Sequence, residues 1–261
     1  MQKIILVGKP NSGKSLLFNQ LTGLKQKVAN FPGVTVELKT GRFDEFDVVD
    51  FPGTYSLKSL SKDESIAIDQ LQVAMSSPET AVVLCNLDAT RMERSLVFAL
   101  QVQTIARAHN KAVVFTLNMV DELIRFNHFI DTDKLSEKLG SPVFAVSART
   151  LIGISELQHG LKKIASAPQE YLVKQTDINQ QSAMQASKIL ASEFAIKSDI
   201  VLKRQNKIDG LLLNSVFGGL AFLIIMFLLF QSIFTWAAPL MDATETAIGE
   251  LAGIFTHFIG K

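Results

Sequence analysis

The sequence has 261 residues, 48% hydrophobic and 20% charged, and its 26 basic against 25 acidic side chains leave a formal net charge of +1. That length accommodates one large domain with a smaller appendage. The near-neutral balance lacks the basic excess of proteins that grip RNA or DNA, so no nucleic acid is expected as a partner. A single cysteine, Cys85, rules out a disulfide framework within the chain. It lies in an apolar run and reads as a small buried hydrophobe rather than a reactive thiol.

Along the chain, short apolar runs alternate with amphipathic stretches. The runs Lys3–Val7, Val36–Phe43, Phe46–Asp50, Ala81–Leu87, Ala112–Leu117 and Pro142–Val146 read as strands. Asp44-Glu45 joins the second and third as a tight antiparallel hairpin. The others are continuous Val/Ile/Leu/Phe segments, as in parallel strands covered on both faces. Helical patterns fall at Lys14–Leu21, Lys62–Met75, Met92–His109, Asp131–Leu139 and Ile154–Ala165. This order predicts an α/β fold with a mixed, mostly parallel six-stranded sheet, whose ligands sit at the carboxyl ends of the strands. Met1-Gln2 runs directly into the first strand with no signal-peptide pattern, so this domain is expected to stay in the cytosol.

The segment Gly8-Lys9-Pro10-Asn11-Ser12-Gly13-Lys14-Ser15 fits G-x-x-x-x-G-K-[ST] between a strand and a helix, the setting that a P-loop requires. Glycines let backbone N–H groups face phosphates, and the helix starting near Lys14 points its positive end at the same anion. The Lys14 ammonium is expected at the β- and γ-phosphates, and the Ser15 hydroxyl on Mg²⁺. Asp50-Phe51-Pro52-Gly53 fits D-x-x-G at a strand end. Asp50 would hold the magnesium and the Gly53 N–H would sense the γ-phosphate. Thr35, in a loop with Gly33 and Val34 beside the nucleotide, would close over Mg²⁺ as an order–disorder switch. Asn118-Met119-Val120-Asp121 follows another strand. The Asp121 carboxylate can accept from the N1–H and exocyclic amine of guanine, a donor pair that adenine lacks. Asn118 would tie this base loop to the P-loop, and Ser147-Ala148-Arg149 would offer a backbone N–H to the guanine O6. Met119 stands where many guanine sites carry Lys. These residues predict a P-loop GTPase that uses GTP, GDP and Mg²⁺, with Lys14, Thr35 and Gly53 in its catalytic set. The four histidines are scattered without ligand spacing.

From Gly210 to Met241 there are 32 residues without a charged side chain or histidine, where a bilayer core needs about 20. Lys203, Arg204 and Lys207 precede this run and Asp242, Glu245 and Glu250 follow it, which places the first domain on the cytoplasmic side. Trp236 fits an interfacial anchor. The expected organisation is a GTPase domain over 1–165, a short helical neck over 166–208, a transmembrane helix over 209–236 and an amphipathic tail over 237–261. A buried helical hairpin of a soluble domain is the alternative for the apolar run.

The stretches Gly8–Gly23 (GKPNSGKSLLFNQLTG), Asn30–Glu37 (NFPGVTVE), Asp50–Leu57 (DFPGTYSL) and Leu117–Asp121 (LNMVD) resemble the N-terminal GTPase region of the FeoB ferrous iron transport proteins. The resemblance implies guanine-nucleotide binding coupled to Fe²⁺ uptake across a bacterial inner membrane, with the GTPase domain on its cytoplasmic face. It implies a FeoB-type permease domain as partner, and brings small accessory Feo proteins and a homo-oligomer into consideration. It further implies a K⁺ ion ligated by Asn11. Thr54 follows Gly53 where many GTPases carry Gln, so positive charge from such an ion would stand in for the missing amide, and slow, potassium-stimulated hydrolysis is expected. Two departures stand out: the region between the GTPase domain and the apolar run is shorter than the family's helical domain, and only one apolar segment is present. Two other functions fit the motifs less well, a soluble GTPase of the ribosome-assembly or tRNA-modification type and a low-turnover nucleotide switch module.

Overall fold

A computed structural model describes residues 2–23, 26–30, 37–53, 62–195 and 215–259. Gly33, Val34, Thr35 and Thr54 lie outside these. The chain divides into two compact units, Met1–Val201 and Leu202–Lys261.

The first unit is built on a seven-stranded sheet of β1 (Lys3–Gly8), β2 (Gln26–Asn30), β3 (Glu37–Phe43), β4 (Phe46–Asp50), β5 (Thr80–Asp88), β6 (Ala112–Asn118) and β7 (Val143–Ala145). Their order is β2-β3-β4-β1-β5-β6-β7. β4, β1, β5, β6 and β7 run parallel, whereas β2–β3 and β3–β4 pair antiparallel. The six expected strands are all present. The seventh, β2, borders the sheet and was not legible: in QKVAN only Val28 and Ala29 are apolar, and its backbone pairing with β3 requires no side-chain pattern. At the β3–β4 hairpin, Phe43 pairs with Phe46 and Asp44 takes a left-handed φ of 53°.

Alternation along the strands divides the core into two layers. Ile5, Val7, Val83, Cys85, Val113 and Phe115 face one layer, and Ile4, Leu6, Val82, Leu84 and Val114 the other. Being covered on both sides makes these strands continuous apolar runs. The second layer is closed by α1 (Lys14–Thr22), through Leu17, Phe18 and Leu21, and by α6 (Ile154–Ser166), through Leu157, Leu161 and Ile164. The first is closed by α2 (Lys62–Ser76), α3 (Met92–Ala108), α5 (Thr132–Leu139) and α7 (Ala183–Phe194). A short α4 (Val120–Ile124) starts just after β6.

The expected boundary at residue 165 does not mark the end of the packed unit. Ala186, Leu190, Ala191 and Phe194 of α7 join the same core as Leu96, Ala99 and Val102 of α3. Lys134 of α5 pairs with Glu193 of α7 at 2.5 Å. Part of the neck is therefore core. In the second unit, α8 (Ser215–Ile259) is one continuous helix of 45 residues. It passes through Pro239 without a break where a separate tail was expected from residue 237. Its Phe217–Thr235 stretch, 19 residues, is long and apolar enough to cross a membrane.

Leu190 is fully buried. Leu190→Ala is expected to destabilise the first unit by about 2–5 kcal/mol, read as a lower urea midpoint in a single transition. An unchanged midpoint would show that α7 is an independent linker.

Candidate nucleotide site

The site lies at the carboxyl ends of β1, β4, β5 and β6. β1 ends at Gly8, and the loop that follows turns through Asn11 at φ 63° and Gly13 at φ 78° before α1 begins at Lys14. Gly13 is doubly required. Its φ is left-handed, and a Cβ there would sit 2.5 Å from Asn118 Nδ2. No acidic residue occupies the first turn of α1, so the helix end keeps its positive potential. Pro10, Asn11, Gly13, Lys14, Ser15 and Gly53 line one cleft. Gly53 packs closely on the loop, since a Cβ there would come within 3.0 Å of the Pro10 nitrogen. The Lys14 ammonium, nearly buried, pairs with Asp50 at the end of β4. Lys9 donates to the Arg94 carbonyl at the start of α3 at 2.6 Å. Burial, and then the Arg94 charge, hold the Lys9 pKa below its ordinary value.

The loop is fixed from beneath by two asparagines. Asn86 Nδ2, at the end of β5, donates to the Ser12 carbonyl at 2.8 Å and to its hydroxyl oxygen at 3.1 Å. Asn118 Nδ2, at the end of β6, donates to the same carbonyl at 3.1 Å. The Ser12 hydroxyl donates to the Lys9 carbonyl, and the Thr116 hydroxyl donates to Asn86 Oδ1. Asn118 Oδ1 accepts the Met119 N–H at 2.9 Å and the Ala148 N–H at 3.0 Å. Ser12, Asn86, Thr116 and Asn118 are all buried. Leaving one such buried group without a partner costs about 1–3 kcal/mol, so the network has one satisfied arrangement. Asn118 thus bonds to the Gly8–Ser15 loop, to Met119 and to the Ser147–Arg149 turn. Asn86 and Thr116 were missed. Their signal was a polar residue inside each of two otherwise apolar strands.

Met119 caps α4 at φ 67°, which places Asp121 in the first turn of that helix. The Asp121 carboxylate, 10% exposed, pairs with Arg149 and accepts from the Ser147 hydroxyl. Arg149 also donates to Glu122 at 2.7 Å. The Ala148 carbonyl accepts from Gln20 of α1 at 3.2 Å. The loop Gly8–Ser15, Asp50, Gly53, the stretch Asn118–Asp121 and the turn Ser147–Arg149 are therefore placed by one set of strand ends. The expected residues Gly33, Val34 and Thr35 fall outside the described ones.

Residues 2–161 match the family model for ferrous iron transport protein B. The chain belongs to that family. It is 33% identical over 262 residues to the Fe(2+) transporter FeoB of Campylobacter jejuni, covering 95% of this chain and 41% of that protein. It is 43% identical over 166 residues to the FeoB of Leptospira biflexa, covering 62% of this chain and 23% of that one. The chain thus spans less than half the length of these FeoB relatives. Among solved structures, it resembles an S. thermophilus NFeoB variant bound to GDP, with 32% identity, a TM-score of 0.56 and coverage of 74% of this chain and 80% of that one. It also resembles the cytosolic domain of the T. maritima FeoB iron transporter in a GDP form, with 36% identity, a TM-score of 0.57 and 68% coverage of each chain. The GMPPNP form of that domain matches with 32% identity and a TM-score of 0.57, covering 82% of this chain and 75% of that one. The first unit therefore has the P-loop GTPase fold of FeoB G domains.

Burial alone would raise the Asp121 pKa, but the Ser147 and Arg149 hydrogen bonds and the Arg149 charge outweigh it and hold the carboxyl below the ordinary aspartate range. A carboxyl lowered on folding adds stability above its unfolded pKa and loses it as pH falls through the folded value. Between about pH 5 and pH 3, wild type should lose urea stability more steeply than Asp121→Asn. Parallel losses would show that Asp121 does not titrate with folding.

Proposed function

We propose that the first unit binds GTP and GDP with Mg²⁺ and hydrolyses GTP slowly, in a potassium-stimulated reaction. We propose further that the chain acts at the cytoplasmic face of a bacterial inner membrane, where this cycle gates or drives Fe²⁺ uptake through a FeoB-type permease domain. The observation that carries the reading is the joining of a phosphate loop to an Asn118–Asp121 base loop through the single carbonyl of Ser12. The GDP-bound FeoB domains that the chain resembles support it.

The residues divide the work. Backbone N–H groups of the Gly8–Ser15 loop and the α1 terminus cradle the phosphates. Lys14 exchanges the Asp50 carboxylate for phosphate oxygens, both being anionic partners for one ammonium. Asp121 accepts the paired donors of guanine, and the turn at Ala148 meets its O6. A magnesium ion fits this donor set: the Ser15 hydroxyl lines the cleft and the Asp50 carboxylate stands at the adjacent strand end, and both are hard oxygen donors. With Thr35 they would hold Mg²⁺, which neutralises charge on the β- and γ-oxygens. Asn11, exposed at the rim of the cleft, offers an amide oxygen that would hold K⁺, whose charge near the β–γ bridge replaces the amide that Thr54 lacks.

The apolar stretch Phe217–Thr235 supports membrane attachment. Lys203, Arg204 and Lys207 before it orient the first unit to the cytoplasm. Accessory Feo proteins and a second copy of the chain remain partners in this proposal.

Single-turnover GTP hydrolysis in K⁺ and in Na⁺ tests the reading. Wild type should be faster in K⁺ by about a hundredfold, the scale of one donor to transition-state charge. Asn11→Ala should lose the difference. Equal wild-type rates in the two salts would overturn the potassium role, and absence of hydrolysis in both would overturn the enzyme.

A further inference from the structure

We propose that Arg149 is a positioning residue, whose guanidinium holds the Asp121 carboxylate in the orientation from which it reads a guanine base. This rests on the guanine reading above and assigns a role to a side chain for which only the neighbouring backbone has been given one.

The geometry is that of a bridge. Arg149 Nη2 donates to Asp121 Oδ2 and, at 2.7 Å, to Glu122 Oε1. Asp121 and Glu122 are consecutive in α4, so one nitrogen ties the Ser147–Arg149 turn to the first turn of that helix. Glu122 is itself anchored by Arg125 at 3.1 Å. The Ser147 hydroxyl donates to the same Asp121 carboxylate and accepts the Thr150 N–H at 3.1 Å. The turn is held independently by the Ala148 N–H on Asn118 Oδ1. The two loops that would meet the base are thus joined through Asn118, through Ser147 and through Arg149.

The environment favours an orienting role over a merely electrostatic one. The Asp121 side chain is 10% exposed, whereas that of Arg149 is 56% exposed. The cation therefore approaches from the solvent side and pays little for burial, while the carboxylate it grips is the desolvated member. Each carboxylate oxygen has two acceptor positions, and the guanidinium engages Oδ2 alone, so it orients the group and leaves acceptor capacity for a base. A guanine edge needs the two oxygens placed together, because N1–H and the exocyclic amine donate side by side. A carboxylate free to rotate would meet one donor and miss the other.

The test uses the full chain and three nucleotides: GDP and inosine diphosphate, which differ by the exocyclic amine, and ADP. Dissociation constants are measured for wild type, Arg149→Ala and Arg149→Lys. Arg149→Ala should weaken GDP by roughly five- to tenfold, the scale of one charge-assisted hydrogen bond, and weaken inosine diphosphate less, so that the preference for GDP narrows. Arg149→Lys, whose ammonium can also bridge two carboxylates, should keep most of the preference. Equal loss for both nucleotides in Arg149→Ala would overturn the proposal, as would tighter GDP binding. A wild type that binds GDP no better than ADP would instead sink the guanine reading, and the Arg149 role with it.

Discussion

The structure of the site depends on one buried carbonyl. Ser12 sits in the middle of the phosphate loop, and its backbone oxygen accepts from Asn86 and Asn118 at the ends of adjacent strands. A loop built to point N–H groups at an anion leaves its carbonyls turned the other way, into the protein, where they need donors. Amide side chains at the ends of β5 and β6 supply them. The same two asparagines use their oxygens to hold Thr116, Met119 and Ala148. The requirement to satisfy one carbonyl thereby positions the base loop relative to the phosphate loop.

Those strand ends are fixed because the sheet is covered on both faces. β1, β5 and β6 have no solvent side, so a register shift would exchange one core layer for the other along each strand. α1 and α6 cover one layer, and α3, α5 and α7 belong to the other. α3 begins beside the phosphate loop, where Lys9 reaches the Arg94 carbonyl, and farther along packs α7.

The central fold was legible because buried parallel strands and amphipathic helices leave strong patterns. The helices expected at Lys62–Met75 and Met92–His109 differ by one residue from those observed. β2 was not legible, since a border strand held by backbone pairing leaves a weak pattern. α4 was hidden because Asn118-Met119-Val120-Asp121 was read as a loop, and only five residues of helix follow Met119. The amphipathic tail expected from residue 237 continues the apolar helix instead of forming a separate element, because helix formation does not require uniform polarity, and α8 runs to Ile259. At the site, the phosphate-loop residues, Asp50, Asn118 and Asp121 were all readable from spacing. Asn86 and Thr116 were not, because their partners are distant in sequence and only the folded sheet brings them together.

The most direct test of this account is a double-mutant cycle between Asn86 and Asn118, read as GDP affinity for wild type, Asn86→Ala, Asn118→Ala and the double variant. Since both amides serve one carbonyl, the account predicts strong non-additivity: the first substitution loosens the phosphate loop, and the second costs clearly more or less than it does alone, by about 0.5–3 kcal/mol. Additive losses would contradict it, for they would mean that the two asparagines act on separate parts of the site and that the Ser12 carbonyl does not link them.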